Sequence, residues 1–387
     1  MELKANSKIA VICRGGPPNT FFSAQCVATL RQGLQINGYD FAGIYAVSGS
    51  CPTALLGSIN EEHKLCNICY RLTPEDIVTD KTDLAHLLKL FKKFETWRTL
   101  MPELSNIADI RMALKAIRRL KEGHIFSNLY LLRLLIKHCG PELDRIFSPD
   151  AIPIKIGAVD YLTGQHVIFS NKAPEHKNVI LVGALASMGL VPIFPSVTVD
   201  DPKSLNLVER THSKFNSLFL IDGGYRGSLL LEEAIRDPIG YDLIFIIDVS
   251  GVEYEDLDTN MPYNLVTRIQ RVQSISSATN DRSQLSLVDR IDEEIAVRNG
   301  LIQIQKTIHS PEVAGLIDRM NNGRLRLVDK HAPQRIIISH PGQLVAFDFT
   351  NFTQAESVRL MQYGHIAALR TLRKLGLNTK EIPLIRP

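Results

Sequence analysis

The sequence lacks the features that mark several common protein classes. Its formal net charge is only +3, from 44 Lys and Arg against 41 Asp and Glu in 387 residues, so it has no polyelectrolyte character. It contains no zinc-finger, homeodomain or RNA-binding aromatic motif, and we expect no nucleic-acid partner. It does contain 45% hydrophobic residues, which is ample material for a large core.

Cysteine is scarce, with six residues in the whole chain, too few for a disulfide framework in a protein of this length. Cys66 and Cys69 have metal-ligand spacing, but no second Cys/His pair lies near them, so burial in a helix is favoured. The first residues do not form a secretory signal, because the apolar run after them is short. We expect a reducing, cytoplasmic location, with peripheral membrane association as an alternative, and neither cofactor nor metal.

A long uncharged segment runs from Val179 to Val199 and could in principle cross a bilayer. Gly183, Gly189, Pro192 and Pro195 interrupt it. We therefore predict a buried helix followed by a proline-rich turn rather than a membrane span.

Short β-branched apolar runs alternate with segments of helical periodicity along much of the chain. This alternation predicts an α/β fold with a mostly parallel, buried sheet, and the lack of a Pro/Ser-rich linker predicts one domain over residues 1–387. The predicted strands are Ile9 to Cys13, Phe41 to Val47, Ile152 to Val159, Gln165 to Ser170, Phe215 to Ile221, Asp242 to Val249 and Gln334 to Ser339. The predicted helices include Phe22 to Gln35, Leu229 to Ile235, and a last one that a capping box at Thr353 to Glu356 opens and that ends near Leu375.

Residues 60–125 form a helical, basic insertion. Its segment 81–121 holds ten Lys/Arg against four Asp/Glu, a local charge of +6. One interpretation is a solvated helix packed on the core. The other is a cap whose basic side chains Arg111, Lys115 and Arg118 meet an anionic membrane surface or an acyl carrier protein.

The stretch from Ile44 to Ile59 predicts a strand, a sharp turn and a helix, an arrangement that can lift a nucleophile to the edge of a sheet. In the register we favour, Cys51 occupies the apex, with Gly49 and Thr53 at the two small positions. Pro52 then suits the first helical turn.

A second register keeps Ser48 at the apex, within Ala46-Val47-Ser48-Gly49-Ser50. A third interpretation is an ordinary strand-to-helix turn with a buried cysteine.

Four short motifs follow one another along nearly the whole chain except the basic insertion. They are Gly15-Gly16, Val47 to Leu55, Ala186-Ser187 with Phe194-Pro195, and Asp222-Gly223-Gly224 with Ala234-Ile235. Together they resemble the oxyanion loop, nucleophile elbow, Ala-Ser…Phe-Pro segment and Asp-Gly-Gly motif of patatin-like phospholipases. The chain departs from that pattern at Cys51, at Thr53 and at Pro17, which has no N–H to donate.

The resemblance implies a three-layer α/β fold and a dyad of an elbow nucleophile, Cys51 or alternatively Ser48, with Asp222. It also implies oxyanion donors from Gly15 and Gly16. The expected substrate is a fatty-acyl lipid or an acyl thioester, and the expected activity is hydrolysis or acyl transfer; a thiol nucleophile favours transfer. The alternative is an inactive relative that binds acyl ligands or membranes, in which Asp222 only forms a turn.

Three histidines, His124, His138 and His166, could supply a further base. Each is more consistent with a surface or packing role.

Overall fold

The computed structural model describes residues 3–77, 126–191, 193–207, 217–226, 229–248, 333–339, 352–380 and 382–385, with isolated positions between 283 and 315. The strands are β1 (Ile9–Cys13), β2 (Phe41–Val47), β3 (Ile154–Asp160), β4 (His166–Ser170), β5 (Val197–Asp200), β6 (Ser217–Ile221), β7 (Leu243–Ile247) and β8 (Gln334–Ile338). The continuous helices are α1 (Pro17–Ile36), α2 (Cys51–Gly57), α3 (Glu62–Arg71), α4 (Pro74–Ile77), α5 (Leu129–His138), α6 (Leu143–Ile146), α7 (Ile180–Ser187), α8 (Leu231–Ile235) and α9 (Gln354–Lys374).

The eight described strands form one sheet in the order β5-β6-β3-β2-β1-β7-β8, with β4 also paired to β3. The central strands β3, β2, β1, β7 and β8 run parallel, whereas β4, β5 and β6 add antiparallel pairs at one side. The predicted mostly parallel α/β sheet is therefore confirmed. The sequence did not predict β5.

Both faces of the sheet are covered, which explains the continuous apolar strands. Along β1, Ile9, Val11 and Cys13 pack into one hydrophobic cluster with α1 and α9, while Ala10 and Ile12 pack into a second one with α8. Successive side chains of a strand point to opposite faces, so a strand buried on both sides must be apolar throughout. The result is a central sheet flanked by helices on both faces.

Helix boundaries follow local chemistry. α1 begins at Pro17, five residues before the predicted start, because proline needs no hydrogen-bonded N–H in the first turn. α9 begins with the predicted capping box, in which Thr353 and Glu356 satisfy each other's backbone N–H groups.

The uncharged segment after Val179 contains α7, a helix of eight residues that is almost wholly buried. This confirms the predicted buried helix. No described helix is long and apolar enough to cross a membrane. Cys66 and Cys69 both lie buried on α3, as predicted.

Only the first part of the predicted basic insertion, α3 and α4, is described. Its charged segment 81–121 lies outside the described residues, so its role as a cap or as a binding surface stays a prediction. Strands from both ends of the chain share one sheet, and the extent of a single domain over residues 1–387 likewise stays a prediction.

Candidate functional site

The apex of the turn between β2 and α2 is Ser48, not Cys51. Ser48 directly follows the last residue of β2 and has φ 57°, in the left-handed region that non-glycine residues rarely adopt. Cys51 comes three residues later, as the first residue of α2 with ordinary helical angles. The favoured sequence register thus misplaced the apex, and the alternative register has the geometry of a nucleophile elbow.

Hydrogen bonds and close packing hold Ser48 in this conformation. Its N–H donates to Ser187 Oγ at 2.7 Å, and the Ser187 hydroxyl donates to the Gly157 carbonyl at 2.5 Å. Gly15 passes so close that a Cβ on it would lie 2.7 Å from Ser48 Cβ. Backbone strain of this kind, over-determined by its surroundings, is typical of functional sites.

Ser48 Oγ donates a hydrogen bond of 2.7 Å to Asp222 Oδ2. The sheet brings the two together because Val47 pairs with Gly157 on β3, and β3 in turn pairs with the end of β6, just before Asp222. Asp222 is only 1% exposed, and its other oxygen accepts the Gly224 N–H at 2.7 Å. The expected nucleophile–Asp pairing therefore has a direct geometric counterpart at Ser48.

The Asp-Gly-Gly motif allows a very close backbone approach. A Cβ on Gly223 would lie 2.2 Å from the Gly157 carbonyl oxygen, so no larger residue fits there without displacing β3. The motif is therefore more than a generic turn, because it sets Asp222 against the end of β2.

Cys51 has the environment of a packing residue. It is fully buried, and the pKa of its thiol is raised to about 12, chiefly by burial; a hydrogen bond with Ser187 and a backbone hydrogen bond lower the pKa, and the Asp222 carboxylate raises it. The thiolate, not the thiol, is the reactive form. The backbone hydrogen bond at the start of α2 lowers this pKa, as the sequence suggested, but burial outweighs it.

The other small elbow positions are also used for packing. Ser50 is buried and donates from Oγ to the Arg14 carbonyl at 2.6 Å. Thr53 is buried too and shares a hydrogen bond of 3.3 Å with Ser23 on α1. Both fix α2 against the start of α1.

Gly15 and Gly16 form a loop beside Ser48. The carbonyl groups of Arg14 and Gly15 in this loop already accept hydrogen bonds. Ser50 binds the Arg14 carbonyl, and Asn19 Nδ2 donates to the Gly15 carbonyl at 2.6 Å. A trans peptide holds its C=O and N–H in opposite directions, so the Gly15 and Gly16 N–H groups point away from these partners. In the part of the chain that the structure describes, neither N–H donates to a protein atom.

A buried ion pair anchors the start of this loop. Arg14 Nη1 lies 2.8 Å from both carboxylate oxygens of Asp248, at the end of β7. The Arg14 N–H also donates to the Ile247 carbonyl at 3.0 Å. No local sequence pattern indicates this pair, since its members are 234 positions apart.

Ser48 and Asp222 line an apolar pocket. Its empty volume is about 1030 Å³, including the open solvent at its mouth. Its other walls come chiefly from α2 to α5 and from the segment after α7. The lining side chains are Thr20, Phe21, Pro52, Leu56, Leu65, Ile68, Cys69, Leu72, Ile77, Leu131, Leu134, Leu135, His138, Cys139, Met188, Leu190 and Phe194, together with Gly49.

The predicted histidines have different positions. His138 lies on the pocket wall, and burial lowers its pKa. His166 Nε2 lies 3.2 Å from the carbonyl oxygen of Gly223, the residue after Asp222. His124 is outside the described residues. Across the described ranges, no group of three or more His, Cys, Asp or Glu side chains could hold a metal ion.

Sequence reasoning missed two features of the site. The sequence marks Ser187 only as part of the Ala186-Ser187 motif. The spacing of the motifs along the chain does not indicate its contact with the Ser48 backbone. The pocket walls come chiefly from α2 to α5 and from the segment after α7, and apolar side chains on such helices do not by themselves distinguish a ligand pocket from a core.

Comparisons with known proteins add little to this description. No protein-family model matches the chain, and no curated protein matches it. The crystal structure of VipD from Legionella pneumophila is a weak structural neighbour, with 12% sequence identity and a TM-score of 0.42 over 96% of this chain and 67% of that chain.

Proposed function

We propose that this chain is a patatin-like acyl hydrolase that forms a covalent acyl-enzyme on Ser48. The observation that carries the proposal is the 2.7 Å hydrogen bond from Ser48 Oγ to a buried Asp222, where both residues line an apolar pocket. A left-handed apex, a carboxylate base and a hydrophobic cavity together are what a hydrolase of fatty-acyl esters needs.

Asp222 acts as the general base. Ser48 Oγ attacks the ester carbonyl carbon while its proton passes to Asp222 Oδ2, which already accepts a hydrogen bond from that hydroxyl. The tetrahedral intermediate then expels the alcohol, which takes up the proton from Asp222. In the second half, water loses a proton to Asp222 and attacks the acyl carbon; the bond from that carbon to Ser48 Oγ breaks, the fatty acid leaves, and Asp222 returns the proton to Ser48 Oγ.

The negative charge of the tetrahedral intermediate falls to backbone donors. The Gly15 and Gly16 N–H groups face away from their engaged carbonyls, and the Gly49 N–H is oriented in the same manner because the Ser48 carbonyl accepts from Cys51 N–H. A donor of this kind typically contributes about 2.7–4 kcal/mol to the transition state. The presence of Pro17 in place of a third glycine leaves these three groups as the proposed oxyanion hole.

The pocket supplies substrate selectivity. Each methylene that an acyl chain buries among its leucines contributes about 0.8 kcal/mol, so long chains bind better than short ones. The intermediate is an oxygen ester on Ser48 rather than a thioester on Cys51. This favours water as the acceptor, with transfer to another alcohol or thiol as the variant chemistry.

A fluorophosphonate probe followed by intact-protein mass spectrometry tests the proposal. The wild-type chain and Cys51→Ala should both gain one probe mass, whereas Ser48→Ala should gain none, and Asp222→Asn should react far more slowly. Hydrolysis of fatty-acyl p-nitrophenyl esters should follow the same pattern.

An adduct that survives in Ser48→Ala but disappears in Cys51→Ala would return the nucleophile to Cys51. A wild-type chain that binds fatty acid, forms no adduct and hydrolyses no ester would be the inactive acyl-binding relative instead.

A further inference from the structure

The turn between β3 and β4 exposes two large apolar side chains. Tyr161 is 63% exposed and Leu162 is 48% exposed. They are adjacent in sequence, so they form one apolar spot on the surface rather than two scattered ones. Nothing in the proposed hydrolysis uses them.

The turn is held so that these side chains stay outside. Asp160 Oδ2 accepts hydrogen bonds from the Thr163 N–H at 3.2 Å and from its hydroxyl at 2.7 Å. The Gly164 N–H donates to the Asp160 carbonyl at 2.8 Å, and Gly164 adopts φ 67°. A turn closed by these bonds presents Tyr161 and Leu162 at low conformational cost.

The turn projects from the edge of the sheet that carries the site. Val47 is level with Gly157 on the parallel neighbour β3, so Ser48 lies at the height of residue 158. β3 continues to Asp160 before the turn begins. At about 3.3 Å per residue, Tyr161 lies roughly 10 Å beyond Ser48 along the strand direction.

The guanidinium group of Arg226 contacts this turn. Arg226 is exposed, and its Nη1 donates to the Gly164 carbonyl at 3.1 Å. It follows Asp222 by four residues, one short turn along the chain. Tyr161, Leu162 and Arg226, which we name the hairpin tip, are therefore joined through Arg226 to the segment that carries Asp222.

We propose that the hairpin tip is a bilayer-contact element that seats the protein on a phospholipid surface with the Ser48 edge facing the lipid. The proposal rests on the proposed function, because an apolar pocket for acyl chains is best supplied from a membrane. An aromatic and an aliphatic side chain beside a guanidinium match the interface between acyl chains and phosphate headgroups. Tyr161 and Leu162 enter the interface while Arg226 pairs with a lipid phosphate.

Co-sedimentation of the full chain with phosphatidylcholine vesicles, with and without phosphatidylglycerol, tests this. Tyr161→Ser with Leu162→Ser should weaken partition roughly tenfold or more, because two apolar side chains no longer leave water. Arg226→Glu should weaken binding to the anionic vesicles more than to the neutral ones.

The matched control is Ile36→Ser. Ile36 is 49% exposed, almost the same fraction as Leu162. It is the last residue of α1, a helix of 20 residues that begins beside the site. Ile36 therefore lies about 30 Å from the start of α1 at the site. Equal losses for Leu162→Ser and Ile36→Ser would overturn the proposal, as would binding that no variant changes or the absence of wild-type binding.

A site-directed fluorophore gives a second measurement. All six native cysteines are buried, so Leu162→Cys introduces an exposed thiol that can be labelled selectively. Its emission should shift to the blue on vesicles, while a label at Ile36→Cys should not shift. A shift caused only by another protein would assign the hairpin tip to a protein partner and overturn the membrane assignment.

Activity assays separate this proposal from the function it rests on. On a water-soluble butyrate ester the Tyr161→Ser with Leu162→Ser variant should match the wild type, whereas on vesicle phospholipid it should be slower. If the wild type cleaves the soluble ester and the variant is equally fast on vesicles, the hairpin tip proposal fails and the hydrolase proposal stands. If vesicle binding depends on the tip but no ester is cleaved, the hydrolase proposal fails alone.

Discussion

Two buried aspartates beside the sheet each accept a hydrogen bond of the same length from a hydroxyl near the end of β2. Ser48 Oγ donates to Asp222 Oδ2 at 2.7 Å, and Tyr45 OH donates to Asp237 Oδ2 at 2.7 Å. Both hydroxyls belong to β2 or to the residue directly after it. Because the hydrogen bond itself is alike in the two pairs, other features must separate a reactive pair from a structural one.

The surroundings of the two pairs differ in three ways. Asp237 is neutralised by Lys155 Nζ at 2.9 Å, and Tyr45 also shares a hydrogen bond of 3.1 Å with Tyr241. Tyr45 has a hydroxyl whose pKa burial raises well above its usual range, so it holds its proton. The Asp237 network sits in the hydrophobic cluster around α8, away from the pocket.

Ser48 instead has a left-handed backbone and lines the pocket with Asp222. The difference indicates that strain and access, rather than the hydrogen bond, distinguish a candidate site from a structural network.

Exchange of each aspartate for asparagine should separate the two pairs most strongly. Asp222→Asn removes the proposed base, and we expect kcat on a fatty-acyl ester to fall on the order of 10²–10⁴-fold. Asp237→Asn should leave kcat within a few-fold and lower the free energy of unfolding by about 1–3 kcal/mol, because Lys155 and Tyr45 lose a charged partner.

Steady-state kinetics and urea unfolding of the two variants check this prediction. An Asp237→Asn variant that lost as much activity as Asp222→Asn without unfolding would show that the two pairs are not functionally distinct.

Ser187→Ala should have the next largest effect. Its hydroxyl accepts the Ser48 N–H and donates to the Gly157 carbonyl, so its loss frees the left-handed apex and leaves buried polar groups unsatisfied. We expect kcat to fall about 10–100-fold, with a loss of roughly 1–3 kcal/mol in stability.

Ser58→Ala is the control, because Ser58 is similarly buried and its hydroxyl donates only to the Leu55 carbonyl of its own helix. It should lose stability without a comparable loss of kcat. Equal effects of both substitutions on kcat would assign Ser187 a purely structural role.

The wrong register at the elbow has a physical cause. The pattern favoured Cys51 because Gly49 precedes it by two residues, as expected where a crowded turn excludes Cβ atoms. In the structure the space around Ser48 is provided by Gly15 on a neighbouring loop, and Gly223 makes the corresponding room for Asp222. Such room comes from residues distant in sequence, so a local motif cannot report it.

The fold was predicted better than the site, since strands buried on both faces leave a local signature. Val11 on β1 and Phe245 on β7 lie in unbroken apolar runs, and the sheet places them side by side. β5 escaped prediction because it is short and only Val199 in it is buried. The position of Asp222 could be predicted from its motif. Which elbow residue lies against Asp222 depends on the register between β2 and β3, which the sequence does not show.

Cys51→Ser should change kcat little, which distinguishes Cys51 from Ser48, three residues earlier. A fully buried thiol with a pKa near 12 is protonated at neutral pH. We expect kcat within about threefold of the wild type and no reaction of the native thiol with iodoacetamide at pH 8. Fast alkylation of Cys51, detected by peptide mass spectrometry, or loss of activity on alkylation would contradict this.

The smallest expected effect is a pH dependence of the Asp237 network. Burial by itself raises the pKa of Asp237, but the Ile239 N–H, the Lys155 ammonium and the Tyr45 hydroxyl together hold that pKa below its ordinary value. A carboxyl with a lowered folded-state pKa stabilises the protein above its unfolded pKa, and that contribution is lost as the pH falls through the folded value. The stability difference between wild type and Asp237→Asn should therefore be full at pH 7 and narrow below about pH 4. Urea unfolding of both proteins from pH 7 to pH 3 measures it, and a gap that stays constant or widens in acid would show that Asp237 is not held ionised by these partners.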